Sequence, residues 1–434
     1  MKQLCAISAP PDTYSGYGAR SRDLIKALYE LKKDEWEIVI IPQRWGNTNW
    51  GFIDNNKEEW GWMKDLYIKA NLTRQPDVWI QVTVPNEFQP LGKVNIGVTA
   101  GIETTICDHS WIEGCNRMNV IFASSKHAKD VFANSTFDQK DPQGKIIRTI
   151  KLEKPVEVLF EGVDLNKYFH IPVEELQPTE LVTSINAVKE DFNYLFVGHW
   201  LQGEIGQDRK DVGMLIKTFL ETFKGKKNKP GLILKTSTVT SCVMDRDELL
   251  KRIDAIREAV GEDLPNVYLL HGDLEDSDMN ALYNHPKVKA MVSFTKGEGY
   301  GRPLAEFCLS KKPVIVSGWS APLDFMNPEF AVLLPGQLTQ LHPSAVVQNM
   351  LLPESGWFTV DYKMASKLLQ DVYDNYSKYE VMGKRQGHKI KSEFSYDSML
   401  LVLQSYFEKY IPKQVALKLP QLKKIELPKL QKVN

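Results

Sequence analysis

The chain of 434 residues has no run approaching the roughly 20 unbroken apolar residues that a membrane-spanning helix requires, so a soluble protein is expected. Neither sign of charge is in excess. Lys+Arg number 54 and Asp+Glu 55, a net charge of −1, which excludes a global attraction to nucleic acid or anionic lipid and leaves only local patches to supply either. Cysteine is scarce. Cys5, Cys107, Cys115, Cys242 and Cys308 are odd in number, scattered and free of CxxC spacing, against both a disulfide framework and a zinc site. A reducing cytoplasm is the expected location. There is no internal repeat and no low-complexity tract. The N-terminal apolar run in MKQLCAISAP is too short for a signal peptide and is closed by Pro10-Pro11, so it is expected to form a first strand.

The length is two to four times a typical domain of about 100–200 residues, which points to two domains. Short β-rich runs alternate with segments of 3.6 periodicity. Strands are expected at Leu4–Ser8, Trp36–Ile41, Val78–Val82, Val94–Thr99, Val120–Ala123 and Val156–Phe160, with helices at Ala19–Lys32 and Lys126–Ala133. After a polar stretch around Pro172–Asp191 the pattern restarts. Strands are expected at Tyr194–Val197, Leu232–Lys235, Val267–Leu270, Val288–Phe294, Val314–Ser317 and Ala331–Leu334, and helices at Val212–Phe223, Arg246–Val260 and Pro303–Ser310. Such alternation implies parallel sheets covered on both faces, hence two doubly wound α/β domains with a ligand cleft between them. The expected division is 1–190, 191–395, a last amphipathic helix at 396–411 and a tail at 412–434. That tail has six lysines, one acid and three prolines, and suits either a surface strap or a membrane or partner anchor.

The most informative text is Ser293-Phe-Thr-Lys-Gly-Glu-Gly-Tyr-Gly-Arg-Pro-Leu-Ala-Glu306 and its continuation to Ser317. A strand ends near Phe294, a glycine-rich turn spans Gly297 to Gly301, and Pro303 suits the first position of a helix. Glycines allow a ligand close to the backbone, and free N–H groups at a helix start favour phosphate. Glu298 could accept bonds from sugar hydroxyls, and Glu306 from a ribose diol, since charge-assisted bonds are about twice as strong as neutral ones.

The Glu298-x7-Glu306 spacing within EGYGRPLAEFCLSKKPVIVS resembles the E-x7-E signature of retaining GT-B glycosyltransferases, especially family 4. Phe196-Val-Gly-His199 with Arg209-Lys-Asp211 resembles the family's strand, glycine loop and basic pair. Val158-Leu-Phe-Glu-Gly-Val-Asp-Leu-Asn-Lys-Tyr-Phe169 resembles its passage closing the first domain, and Leu269-Leu-His-Gly272 with Leu282-Tyr283 its stretch near the nucleotide base. Ser15-Gly-Tyr-Gly18 resembles the glycine loop facing the diphosphate, and Glu103-Thr-Thr through Ser125 a family-4 subset. Two texts depart from the pattern. Gly101-Ile102-Glu103 stands where many relatives carry a cleft histidine, and Gly318-Trp319-Ser320 stands where Gly-Gly is usual, at the contacts to the transferred sugar.

The resemblance implies a GT-B fold with the last helix crossing back to the first domain. It also implies transfer from a UDP- or GDP-linked sugar to an acceptor hydroxyl, most readily on a glycan, with no prosthetic group and, in the absence of an apparent DxD, no metal. Glu298 and Glu103 are the catalytic candidates. Donor-binding candidates are Arg209, Lys210, Gly299, Tyr300, Gly301, Glu306, Gly16, Gly18, His199 and His271. Gly16 and Gly18 also fit a plain strand–helix turn, Glu103 a loop residue, and His199, His271 and His109 packing or capping residues. Other readings are a transferase for modified DNA bases, an epimerase or phosphorylase of the same fold, a silent sugar-binding scaffold, and an NAD-dependent oxidoreductase. The last fails because Trp36–Ile41 ends in Pro42-Gln43-Arg44, without an acid for the ribose. Trp45, Trp50, Trp60, Trp62 and Trp79 suit stacking on sugars or bases, or the core. Lys224–Lys229, Lys311-Lys312 and Lys423-Lys424 read as solvated faces.

Overall fold

Apolar strands buried on both faces form parallel sheets, and the helices that connect them supply the cover. This happens twice in the computed structural model, which describes residues 2–201, 203–238 and 241–412; the tail from residue 413, with Lys423-Lys424, lies outside the described residues. The first series is β1 (Gln3–Ala9), α1 (Gly16–Lys32), β2 (Trp36–Pro42), the short α2 (Phe52–Asn55) and α3 (Lys57–Trp60), β3 (Val78–Val82), β4 (Val94–Thr99), α4 (His109–Arg117), β5 (Val120–Ala123), α5 (Lys126–Asn134), a hairpin of β6 (Phe137–Lys140) and β7 (Ile146–Ile150), β8 (Val156–Val158) and α6 (Glu180–Asn186). The second is β9 (Asn193–Val197), α7 (Val212–Phe223), β10 (Gly231–Lys235), α8 (Val243–Val260), β11 (Val267–Leu270), α9 (Asp276–Asn284), β12 (Val288–Ser293), α10 (Arg302–Cys308), β13 (Val314–Ser317), α11 (Pro322–Phe325), β14 (Val332–Leu334), a hairpin of β15 (Gly336–Gln340) and β16 (Gly356–Val360), α12 (Tyr362–Asp374), α13 (Tyr376–Glu393) and α14 (Tyr396–Tyr410).

The first sheet has the order β2-β1-β3-β4-β5-β8 and the second β11-β10-β9-β12-β13-β14, all parallel. The chain reverses direction of winding between β1 and β3 in one sheet and between β9 and β12 in the other. Loops leaving the C-terminal ends of strands at such reversals cannot cover each other, so a crevice opens there. Gly198 and His199 leave β9, the glycine turn leaves β12, and Ser15–Gly18, the cap and first turn of α1, follow β1. The same topology therefore brings the sequence-read motifs to one edge of each sheet.

The last helix returns to the first domain. Ser395 caps α14 by accepting the Ser398 N–H at 3.2 Å, and Met399, Leu403 and Phe407 are buried beside Leu24, Leu28 and Trp36. Full burial of each such side chain contributes roughly 1.5–3 kcal/mol, enough to dock a helix of this length. The crossing point is held by Val163, whose N–H donates to Phe394 O at 2.9 Å and whose carbonyl accepts from Tyr396 N–H at 2.8 Å. Four cysteines are buried, Cys5, Cys107, Cys115 and Cys308. Among the described residues no helix is long and apolar enough to cross a membrane.

Candidate active site

The basic pair sits on a loop fixed from beneath. Asp211 precedes α7 with φ 54°, a left-handed backbone that Asp tolerates better than most residues. Its carboxylate lies 3.4 Å from Lys296 Nζ and accepts the Tyr362 hydroxyl at 2.7 Å. The Lys296 N–H donates to Arg209 O at 2.7 Å, and its ammonium donates to Thr359 Oγ1 at 3.1 Å. Asp208 accepts the Val212 N–H at 3.2 Å, and burial, aided by Asp211, pushes its carboxyl up to about 6. Lys296 and Asp211 are both essentially inaccessible. A buried pair with these extra bonds holds the loop in one conformation, and with it Arg209 and Lys210.

Above that base lies an array of alternating charge that spans the cleft. Arg209 Nη1 is 3.1 Å from Glu103 Oε1 of the first domain, 3.4 Å from Glu298 Oε2 and 3.1 Å from Gly297 O. Lys210 Nζ bonds Glu298 Oε1. Glu298 is 6% exposed. Burial opposes its charge, yet Lys210 and Arg209 hold its carboxyl below the ordinary value. Burial draws the Lys210 ammonium down even against Glu298. The structure thus brings Glu298, Glu103, Arg209 and Lys210 together.

The glycine turn meets the first domain directly. A Cβ on Gly297 would lie 2.0 Å from Glu103 O, and one on Gly299 would lie 2.7 Å from Ala100 O. Those glycines permit close approach of backbone to backbone across the cleft. Gly301, at φ 99°, is the N-cap of α10, and Pro303 lies in its first turn. Ser320, itself left-handed at φ 64°, accepts the Glu298 N–H on Oγ at 3.0 Å. Trp319 is 4.7 Å, centroid to centroid, from the His127 ring of α5. The Gly318-Trp319-Ser320 departure therefore builds a support for Glu298 and a contact between domains. Burial lowers His127 to about 4, and its Nε2 has no hydrogen-bond partner. A neutral imidazole thus borders the Gly101–Thr104 loop, contributed by a helix some 25 positions further along, where the text itself has no histidine.

Glu306 lies one turn into α10, 3.5 Å from Arg302 Nε and 3.5 Å from the Tyr283 hydroxyl. Burial raises its carboxyl to about 7; Arg302 opposes the rise, and Asp276, Asp23 and Glu161 add to it. Arg302 Nη1 also reaches Asp23 of α1 at 2.6 Å and Glu161 at 3.4 Å, both in the first domain. Arg302, Asp23 and Glu161 were missed by sequence reasoning. Arg302 alone had a visible signal, as a cation inside the Glu298–Glu306 text.

The remaining candidates fall into different settings. Gly16 faces open space, whereas a Cβ on Gly18 would strike Thr13 O at 2.2 Å, so Gly18 serves the packing of the turn. Ser15 caps α1 through the Gly18 N–H at 2.9 Å, and the Tyr17 hydroxyl accepts the Ala100 N–H at 3.1 Å. Tyr300 is buried against Phe325, its hydroxyl without a partner. His199 Nδ1 is 3.2 Å from Ser237 Oγ, and burial lowers its pKa, with Lys210 adding to the effect. His271 Nε2 is 2.7 Å from Asp245 of α8, which also binds Thr238. His109 opens α4, 3.8 Å from Glu113. Tyr17 stacks on Trp45, with ring centroids 3.8 Å apart, while Trp60 and Trp79 are buried.

No protein-family model matches the chain, and no curated protein sequence does. Solved structures do resemble it. A glycosyltransferase from Rickettsia africae superposes with a TM-score of 0.63 at 12% identity, over 95% of this chain and 100% of that one. Sucrose-phosphate synthase from Thermosynechococcus elongatus gives 0.60 at 11%, over 94% and 99%. Anabaena HepE in complex with UDP and glucose gives 0.58 at 11%, over 94% and 100%. These likenesses extend over nearly the whole of both partners in each comparison, and together with the two sheets, the cleft and the returning helix they establish that the chain has the GT-B fold.

Proposed function

We propose that the chain is a retaining glycosyltransferase that moves a sugar from a nucleotide-diphosphate donor to an acceptor hydroxyl on a glycan. The observation that carries this reading is the Glu103–Arg209–Glu298–Lys210 array, two cations and two carboxylates meeting across the cleft. A diphosphate is the ligand that two adjacent, nearly buried cations suit, and Arg209 offers the planar fork that binds phosphate oxygens bidentately. When the diphosphate arrives, Glu298 loses its cations to it and turns to the sugar hydroxyls. Residues 191–395 then form the donor domain, and residues 1–190 select the acceptor. Binding of UDP and UDP-glucose by HepE favours a UDP-linked donor over a GDP-linked one.

In this reading Arg209, Lys210 and the N–H groups at the start of α10 stabilise charge on the departing diphosphate, a preorganised electrostatic effect. The acceptor oxygen bonds the anomeric carbon on the face from which the diphosphate leaves. The bond from that carbon to the phosphate oxygen breaks, and the acceptor proton passes to the leaving oxygen beside it. Glu103 positions Arg209, Glu306 takes the ribose diol, and the cytoplasm supplies the donor.

The test is a thermal-shift and hydrolysis screen across UDP-, GDP- and ADP-glucose. A donor at about 100 times its Kd stabilises the native state by about 2.7 kcal/mol. Glu298→Ala is expected to lower turnover by about 10²–10³ with an unchanged far-UV spectrum, and to lower the melting temperature because Arg209 and Lys210 lose a compensating carboxylate. Wild-type turnover in that variant, or no shift with any donor, refutes the assignment.

A further inference from the structure

At the opposite edge of the second sheet from the cleft lies a cavity of about 350 Å³, between the C-terminal end of α10, the start of β12, α13 and the segment around His170. Its lining includes Lys289, Lys311, Lys312 and Lys384 against a single carboxylate, Glu380, which is already paired with Lys384 at 3.2 Å. Lys312 Nζ donates to Tyr283 O and His285 O, each at 2.7 Å, which fixes its ammonium and leaves one of its three protons unassigned. His170 and His388 line the same space.

This pocket is built rather than incidental. Gly383 and Gly387 let α13 rest on the backbone of Lys312 and Cys308, where a Cβ would lie 2.4 Å and 2.5 Å from main-chain atoms. Lys311 is left-handed, with φ 65°, at the residue class of position that ends helices and that glycine fills without strain. A lysine stands there against its backbone preference. The lysine pair read from sequence as a solvated face thus lines a concave site instead. A volume near 350 Å³ is that of a small-molecule pocket and is too small and too curved for a duplex or a bilayer surface.

We propose that this pocket binds a small phosphate monoester, with Lys289, Lys311 and Lys384 meeting the dianion. The site is separate from the donor cleft, because Lys289 and Lys312 stand at the N-terminal ends of β12 and β13, whereas the cleft lies at the C-terminal ends. β12, β13 and α10 run between it and the cleft, and α10 carries Arg302 at its start and leads through Glu306 to Lys311.

Isothermal titration of the full chain in chloride buffer, with glucose 6-phosphate, inorganic phosphate and glucose as probes, tests this. Saturable binding of glucose 6-phosphate is expected, with none for glucose. Lys311→Gly/Lys384→Ala removes two cations and relieves the left-handed lysine, so its melting temperature is expected to equal or exceed that of wild type while affinity falls about ten-fold or more. Binding of inorganic phosphate equal to that of glucose 6-phosphate identifies the free ion as the occupant, and tighter binding of the ester identifies a phosphorylated metabolite. The proposal is overturned if neither phosphate probe binds the wild type below about 10 mM, or if the double variant binds within ten-fold of it, as a phosphate held only in the donor cleft would do.

Discussion

Replacing Glu306 by Gln separates the electrostatic state of the site from its shape. In the unfolded chain this carboxyl has its ordinary value of 4.5, and in the folded chain burial raises it to about 7. The folded state therefore keeps a proton that the unfolded state has released between those values, and stability falls as pH rises from 4.5 to about 7. Above that it is constant, since both states are then ionised. The gap corresponds to about 3 kcal/mol of ionisation cost. Glutamine has the same shape and never ionises. Glu306→Gln is accordingly expected to match wild type near pH 5 and to exceed it by up to about 3 kcal/mol near pH 8, as read from urea unfolding at the two pH values. If Glu306 takes the ribose diol as proposed, donor affinity should move the other way at pH 8, because a neutral amide replaces the charged acceptor. A stability difference that is the same at both pH values, or a variant less stable than wild type at pH 8, would refute the reasoning.

Two further substitutions probe how the array is held. Gly297→Ala places a methyl group 2.0 Å from the Glu103 carbonyl, a backbone atom that cannot rotate away, so the domains must part locally. Turnover is expected to fall by about 10²-fold with an unchanged far-UV spectrum, and a variant with wild-type kcat would show that the close approach is dispensable. Lys296→Met leaves Asp211 buried without its cation beside Asp208, for an expected loss of about 3–5 kcal/mol in urea unfolding; adding Asp211→Asn should restore part of it. A loss under about 1 kcal/mol, or a double variant no more stable than the single one, would count against that pairing.

Both sheets were legible because most of their strands are short, largely apolar runs separated by turn residues. The helix Val212–Phe223 has the bounds its pattern predicts, since nine of its residues are buried. The hairpin Phe137–Lys140 with Ile146–Ile150 was not anticipated, because it is almost wholly exposed and carries no alternation to read. Glu298, Arg209 and Lys210, which the structure brings together, were legible because they lie within short, ordered motifs. Asp23 and Glu161 were not, since each is an ordinary surface-type residue until the fold brings it to Arg302. His127 shows the same limit. Its position beside the Gly101–Thr104 loop depends on α5 packing there, which no local spacing encodes. The glycines were read as space for a ligand, and the structure adds a second reason, as Gly297 and Gly299 face main-chain carbonyls of the other domain.

In the proposed reading, the charge balance of the array lets one set of residues serve two states. Without donor, Arg209 and Lys210 are nearly buried, and an unpaired cation there would be strongly disfavoured; Glu103 and Glu298 compensate them. A diphosphate brings two or more negative charges to the same cations, so it competes with those carboxylates rather than adding to an empty site. Its binding gains only the difference between two sets of ion pairs. What changes most is the condition of Glu298, which is held below its ordinary pKa by the cations it would lose. Deprived of them in a buried place, its carboxylate must find other donors, and the hydroxyls of the transferred sugar are the groups a donor brings with it. In that reading the exchange that seats the diphosphate drives Glu298 onto the sugar, which would tie donor recognition at the phosphates to recognition at the ring.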